Sequence, residues 1–309
     1  MGDAAKVGVV TVTYNSGPVL DLFLQSLSSQ TYDNFVLYAV DNASRDTSVA
    51  QLRAWGDPRL RIIANTANVG VAEGNNQGTR SALAEGCSYV LYLNNDIEFE
   101  RDTFTILFNE IDDLGCDLLA PKILYEDRIR IWSAGGGFSA PKGYLGFHTG
   151  ADEPDSGQFE TARRIEHSPT CCLLVRRAVF ERIGLMDERY FVYQDDSDFS
   201  FRAWKAGLIM FYTPRARIFH KVSYLTGGAS SAFSLRYNAR NHVYFMLKNL
   251  GLMRCLYYLP ALQLRLLYKV CRRQISRAEF LIRQRALFEG ISVWANRRNT
   301  LSAGDAQGA

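Results

Sequence analysis

The first part of the chain alternates short β-branched apolar runs with segments whose apolar residues recur at helical spacing. This pattern predicts strands at Lys6–Thr13, Phe35–Asp41, Leu60–Ala64 and Tyr89–Leu93, with helices at Val19–Gln30, Thr47–Trp55 and Val71–Glu85. Pro18, after the turn that starts at Tyr14, suits a helix start. Strands and helices at this pitch predict an α/β fold, a mostly parallel sheet covered by helices on both faces. From about 117 the pattern loosens. Strands are predicted at Asp117–Ile123, Cys171–Arg176, Leu208–Tyr212 and Ile218–Phe219, and helices at Ala178–Ile183 and Asp195–Ala206. The glycine-rich stretch Ser133–Gly150 reads as a flexible loop or hairpin, and helices then run to about 298. The predicted organisation is one domain over 1–247, split into halves 1–116 and 117–247, then a basic amphipathic helical extension over 248–298 and a frayed tail over 299–309.

Ligands of such sheets bind beyond the carboxyl ends of the strands. That rule gathers Thr13–Asn15, Asp41–Ser44, Asn65–Gly70 and Asn94–Asp96 into one candidate site. Asp41 ends a buried strand, where its carboxylate can accept from a base N–H or a ribose hydroxyl, or simply cap the next helix. NTANVGVAEGNNQG, from Asn65 to Gly78, is amide- and glycine-rich at a helix start, where backbone N–H groups favour a diphosphate. An ordinary turn gives the same composition. Asn94, Asn95 and Asp96 interrupt apolar sequence on both sides; one carboxylate beside two amides suits a hard divalent ion that draws its other ligands from phosphates and water, or a turn. Asp195, Asp196 and Asp198 crowd a helix start directly after the apolar run Tyr190–Tyr193. The helix dipole explains one of them, and a clustered acid can have a raised pKa and act as a general base. His220 ends a short apolar run as a structural histidine, a metal ligand or a proton carrier.

Composition changes this picture little, and charge changes it at one place. Over 309 residues, 47% apolar and 22% charged content describe an ordinary globular chain. The six cysteines show no C-x-x-C or zinc-finger spacing, so the expectation is a reduced, cytoplasmic protein. The start, MGDAAKVGVVTVTY, lacks the long apolar run of a signal peptide, and no stretch of 18 apolar residues predicts a spanning helix. The net charge of +3 hides a polarised chain: residues 1–247 carry 24 Lys and Arg against 29 Asp and Glu, and 248–309 carry 11 against 3. A basic segment with so many Leu and Tyr can lie on an anionic membrane surface, at the inner membrane face for a cytoplasmic protein. It can equally be a helical pair packed on the domain with its arginines in water. Nothing in the sequence points to nucleic acid as a partner.

Taken together, VTVTYNS at 10–16, VDNASRD at 40–46, NVGVAEGNNQG at 68–78, LNNDIEF at 93–99, LVRRAVFERIGLMDERYFVYQDDSDFSFRAWKAG at 174–207 and FHKVS at 219–223 resemble the family 2 inverting glycosyltransferases of the GT-A type, in particular their rhamnosyltransferase-like branch. The resemblance runs from Val7 to about Asn241. It implies a Rossmann-like nucleotide-diphospho-sugar transferase fold and a nucleotide-diphosphate-sugar donor. Asp41 would hold the base, and Thr13, Tyr14, Asn15 and Asn68 would enclose the nucleoside. Asn94–Asn95–Asp96 stands where the family carries its D-x-D motif, so Asp96 would touch Mg2+ or Mn2+ with Asn95 on the donor, and Asn94 replaces the first acid. His220 matches a ligand from the far side of the site. Asp195–Asp196 matches the family's Glu-Asp pair, with Asp196 as general base, Asp195 as a helper or an acceptor contact and Asp198 as a cap or structural anchor; Arg240 would reach the diphosphate. The implied partners are a glycan or lipid-linked saccharide acceptor and a donor, best dTDP-L-rhamnose, with UDP-hexoses next. A non-catalytic nucleotide-sugar-binding scaffold is the alternative from another class. The absence of a Q-x-x-R-W motif argues against a processive synthase.

Overall fold

Within each early strand the side chains alternate between two apolar layers, which is why these runs are apolar without interruption. The computed structural model describes residues 5–221 and 231–304, the last eight by backbone alone, and it divides into two compact units. The first holds almost all of residues up to 225 and the second is mostly Thr226–Ala309.

The elements in chain order are β1 (Val7–Thr13), α1 (Gly17–Ser28), β2 (Phe35–Asp41), α2 (Ser48–Trp55), β3 (Leu60–Ala64), α3 (Gly70–Ala84), β4 (Tyr89–Leu93), β5 (Ile97–Phe99) and α4 (Thr103–Asp113). Then come β6 (Leu118–Tyr125), β7 (Ile131–Ser133), β8 (Gly136–Ser139), β9 (Leu145–His148), β10 (Arg163–Ile165), β11 (Cys172–Arg176), α5 (Arg177–Ile183), α6 (Asp195–Lys205) and β12 (Met210–His220). The helices α7 (Ala232–Asn249), α8 (Leu252–Cys271) and α9 (Arg277–Gly304) follow.

The main sheet runs β10-β12-β6-β11-β4-β1-β2-β3, with β5 on β12 and β7 on β6. Its β4-β1-β2-β3 half is wholly parallel. The other half is mixed, because β11 lies antiparallel between β4 and β6. Val7 and Val9 join Leu20, Phe23 and Phe104 of α1 and α4 in one layer. Val10, Val90 and Tyr92 join Phe180 and Phe199 of α5 and α6 in the other. Two predicted strands near the end are a single one: β12 continues through Pro214, and its register with β6 shifts between Thr213 and Arg217. A proline cannot donate to a ladder, so the sequence suggested a break where the strand has only an irregularity. The glycine-rich stretch contributes the end of β7 and a two-stranded hairpin of β8 with β9.

Most of NVGVAEGNNQG serves packing. A Cβ at Gly74 or Gly78 would lie 2.8 or 2.5 Å from the methyls of Val12 or Val10, so these positions let α3 press onto β1. Asn76 exchanges two hydrogen bonds with the Met186 backbone (2.8 and 2.9 Å).

In the second unit, Gly290 of α9 faces the Arg240 carbonyl and Val243 of α7, and Arg236 pairs with Glu289 (2.8 Å). The helix α9 continues past 298 to Gly304, and residues 305–309 of the expected tail lie outside the described residues. Five cysteines are buried, and Cys271 at the end of α8 is exposed. Among the described residues no helix is long and apolar enough to cross a membrane.

Candidate active site

The ends of β1 and β2 are in register, with Thr13 opposite Asp41. The Thr13 hydroxyl donates to Asp41 Oδ1 (2.9 Å) and the Ser44 N–H to Oδ2 (3.0 Å), so the carboxylate, 2% exposed, is held from both sides. Asn15 sits in the left-handed region (φ 52°), which asparagine tolerates better than most residues. There its N–H donates to Ser44 Oγ (2.9 Å) and its Oδ1 accepts from the Arg45 N–H (2.9 Å). Tyr14, between them, is exposed. Asn42 donates to the Gly70 carbonyl (3.1 Å) and Asn68 Oδ1 (3.3 Å) and accepts from Asn65 (2.9 Å). Gly70 has φ 87°, and a Cβ there would stand 2.5 Å from the Phe191 carbonyl oxygen. Amide side chains thus lace three of the four strand-end loops together.

The polar triplet has a topological origin. β4 pairs with β1 and β11, whereas β5 pairs with β12, so Asn94–Asp96 is the crossing between two ladders and is apolar on both sides for that reason. Asn95 donates to the Val12 carbonyl (2.6 Å), and the Asp96 carbonyl accepts from the Lys221 N–H (2.9 Å). Because Ile97 pairs with His220, the ladder brings Asp96 Oδ1 to 3.2 Å from His220 Nε2. The two are close but not aligned as a hydrogen bond; among the described residues neither Asp96 Oδ1 nor His220 Nδ1, both buried, has a hydrogen-bond partner. A cleft of about 760 Å³ opens beside His220, lined also by Pro18, Val19, Tyr125, Arg130 and Lys221.

At the other end, α6 opens on its acids. Asp198 is fully buried and accepts from the Tyr190 hydroxyl (3.1 Å) and Arg202 Nε (2.9 Å), a structural anchor. Asp195 is 4% exposed. Burial first, and then the charge of Asp196, push its carboxyl up to about 8. Asp196 is partly exposed; burial raises it too, opposed by the Ser197 N–H and by His148. A raised carboxyl is a better proton acceptor near neutral pH than an ordinary one. Burial pushes the Cys171 thiol up, and after burial the charges of Asp96 and Asp196 push it further, so one residue senses both acids.

Sequence reasoning missed what lies between these acids. The Trp132 indole stands edge-to-face with His148 (4.5 Å) and with His220 (4.6 Å), and His148 stacks on His167 (5.7 Å). Burial holds both imidazoles down to about 4, with His167 adding to the effect on His148. The chain has only four histidines, and three of them gathering at one place is the signal that could have been weighed. Arg240 belongs to the second unit, where its Nε donates to Asn241 Oδ1 (2.7 Å).

For a divalent cation the fit is partial and specific. Among the described residues no three His, Cys, Asp or Glu side chains form a metal cage. The orphaned Asp96 Oδ1 facing the His220 imidazole offers two ligands of the right kind, and leaves the rest to phosphates and water.

The family model described as "Glycosyl transferase family 2" matches residues 8–184. The chain is 30% identical over 239 residues to an N-acetylglucosaminyl-diphospho-decaprenol L-rhamnosyltransferase from Mycobacterium tuberculosis, covering 71% of this chain and 77% of the relative. Among solved structures it is similar to GalNAc-T7 with UDP, GalNAc and Mn2+ (TM-score 0.62, 17% identity, 80% of this chain and 48% of that one). It is also similar to the mannosyltransferase PcManGT from Pyrobaculum calidifontis in complex with GDP-Man and Mn2+ (TM-score 0.55, 17% identity, 100% of this chain and 77% of that one). At 17% identity these two likenesses speak to the fold.

Proposed function

The chain belongs to glycosyl transferase family 2 and is a glycosyltransferase, and on that premise we propose that it uses a nucleotide-sugar donor and moves L-rhamnose from dTDP-L-rhamnose to a lipid-linked glycan acceptor with inversion. The observation that carries the sugar and the acceptor class is the 30% identity to the L-rhamnosyltransferase named above. Thr13, Tyr14, Asn15, Asp41 and Asn68 enclose the nucleoside, and Asn95 lies against the donor. Asp196 takes the proton of the acceptor hydroxyl as that oxygen bonds to the anomeric carbon and the bond from carbon to the leaving diphosphate breaks. Asp195, kept protonated by its surroundings, does not compete as a base and can donate to the acceptor. Asp96 and His220 would hold Mg2+ or Mn2+, which when bound supplies positive charge against the leaving diphosphate.

Incubation with dTDP-L-rhamnose, UDP-hexoses and GDP-mannose against a polyprenyl-diphosphate-linked acceptor tests the donor. Release of dTDP dependent on acceptor supports the reading. Turnover with a UDP-hexose alone replaces the donor, and binding without turnover on any acceptor leaves a scaffold.

A lipid-linked acceptor asks for membrane proximity, and α8 supports it. At ~100° per residue, the exposed Met253, Leu256, Tyr257, Leu264, Leu267 and Tyr268 fall within ~120° of arc, beside Arg254, Arg265 and Lys269 and away from the buried Cys255 and Leu266. Residues 248–278 hold seven basic and no acidic residues. An anionic lipid surface matches both the apolar arc and the charge. Co-sedimentation with vesicles rich in phosphatidylglycerol but not with pure phosphatidylcholine is expected, and Leu256→Glu should release the protein; equal binding to both vesicle types, or none, counts against it.

A further inference from the structure

The sequence gives α6 a poor local cap. Gln194, the residue that leads into Asp195, stands where Ser, Thr, Asp or Asn would hold the first turn. The residues before the acids also take an unusual path. Phe191 (φ 64°), Tyr193 (φ 63°) and Gln194 (φ 65°) all lie in the left-handed region. Phe191, at ψ −58°, adopts the rare and strained γ-turn geometry. Side chains of this size enter that region seldom, and they stay only where the surroundings over-determine the backbone. Here the surroundings are explicit. The Phe191 carbonyl accepts from the Val71 N–H at the start of α3 (2.5 Å). Asn241 of α7, fully buried, donates from its amide nitrogen to the Val192 carbonyl (2.7 Å) and to the Tyr193 carbonyl (2.8 Å). Its Oδ1 accepts from Arg240 Nε (2.7 Å), so the amide cannot turn over without losing all three bonds. Tyr193 Oη lies 2.9 Å from Ser234 Oγ of the same helix. Val192–Gln194 group with α7 in the second unit, and the chain runs from Gln194 directly into Asp195.

We propose that Asn241 is a positioning residue for Asp196: by pinning two successive carbonyls it holds Tyr193 and Gln194 left-handed, and those torsions set the direction in which the Asp196 carboxylate leaves the chain. The inference rests on the reading of Asp196 as the base. Arg240 then acts by orienting the amide of its neighbour. A base displaced by about 1 Å from the hydroxyl it deprotonates loses on the order of 10²-fold in rate. The donor, enclosed by the ends of β1 and β2, does not depend on these torsions.

Steady-state kinetics and calorimetry of donor binding test it, at a temperature where melting curves show each variant folded. Asn241→Ala should lower kcat by ~10²-fold and leave donor affinity unchanged. Gln194→Gly puts at that position the residue for which a left-handed backbone carries no steric cost, and should keep kcat near the wild-type value. Added to Asn241→Ala, it should return part of the lost rate, so that the two substitutions are coupled and not additive. An unchanged kcat in folded Asn241→Ala means a structural role alone and overturns the proposal. So does an equal loss of kcat with and without Gln194→Gly, or a loss of donor affinity in step with kcat. If Asn241→Ala does not fold, as judged by its circular dichroism, Asn241→Ser decides, because its hydroxyl can serve one of the two carbonyls. A lowered kcat with unchanged donor affinity in that variant supports the proposal, and any other result overturns it. Asp196→Asn separates the two readings. Full activity there removes the base assignment and this proposal with it, whereas an inactive Asp196→Asn beside an unchanged kcat in Asn241→Ala removes only the part given to Asn241.

Discussion

The two ends of the candidate site are built on opposite terms. At the ends of β1 and β2 hydrogen bonds hold the polar side chains, Asp41 by Thr13 and Ser44 and Asn42 by Asn65, Asn68 and Gly70, while the buried oxygens of Thr11, Tyr38 and Glu73 that lack a partner among the described residues lie elsewhere on β1, β2 and α3. Around β5, β9, β12 and α6, buried polar atoms of Asp96, His167 and His220 have no hydrogen-bond partner among the described residues, and burial shifts Asp195 and Asp196 up and His148 and His167 down. On the proposed reading, the first surface only has to fit a rigid nucleoside and can be completed in advance. Groups that must bind an ion or exchange a proton have to keep lone pairs free, and each unmade hydrogen bond costs about 1–3 kcal/mol.

Four substitutions press on that contrast. Asp196→Asn should cut kcat by ~10²–10⁴, the span of general-base catalysis, while calorimetry finds donor affinity unchanged; a parallel loss of affinity would erase the division of labour. His220→Ala should weaken donor binding in the presence of Mn2+ by at least ~10-fold, the loss that even outer-shell metal partners give, and leave metal-free binding as it was. Asp195→Asn should make the protein more stable, increasingly so as pH rises. The folded carboxyl is held up at about 8, above the ordinary aspartate value of 3.8, so the fold binds the proton more tightly than the unfolded chain does. Its stabilising effect is complete below the unfolded pKa and fades as pH climbs through that window. Melting curves of the two proteins should therefore coincide near pH 4 and separate towards pH 8; a constant gap would mean that Asp195 is not strained. The smallest effect belongs to the finished end: Thr13→Val should cost about 1 kcal/mol in urea denaturation, with no movement of the pH profile.

How much of this was legible in the sequence follows the same divide. The early strands β2, β3 and β4 begin and end where the apolar runs predicted, because local pattern and the strand-end rule suffice for a parallel sheet. The polar triplet was visible as an anomaly, but that β4 and β5 pair with different strands is a property of long-range topology. His148 sits in a hairpin and His167 in an irregular segment, neither with any periodicity, so their stacking had no local trace. In NVGVAEGNNQG, Gly74 and Gly78 have a packing reason that local pattern did not reveal: they let a helix approach a valine-lined strand closely.

The distribution of thiols has a practical side. Burial shields Cys87, Cys116, Cys171, Cys172 and Cys255, and it raises the Cys171 and Cys172 thiols far out of the reactive range. Cys271 alone is exposed, and at ~100° per residue it falls within the apolar arc of α8. The native chain is thus already a single-site labelling substrate. An environment-sensitive maleimide dye would attach at that one position and report by its emission when this face of the helix leaves water.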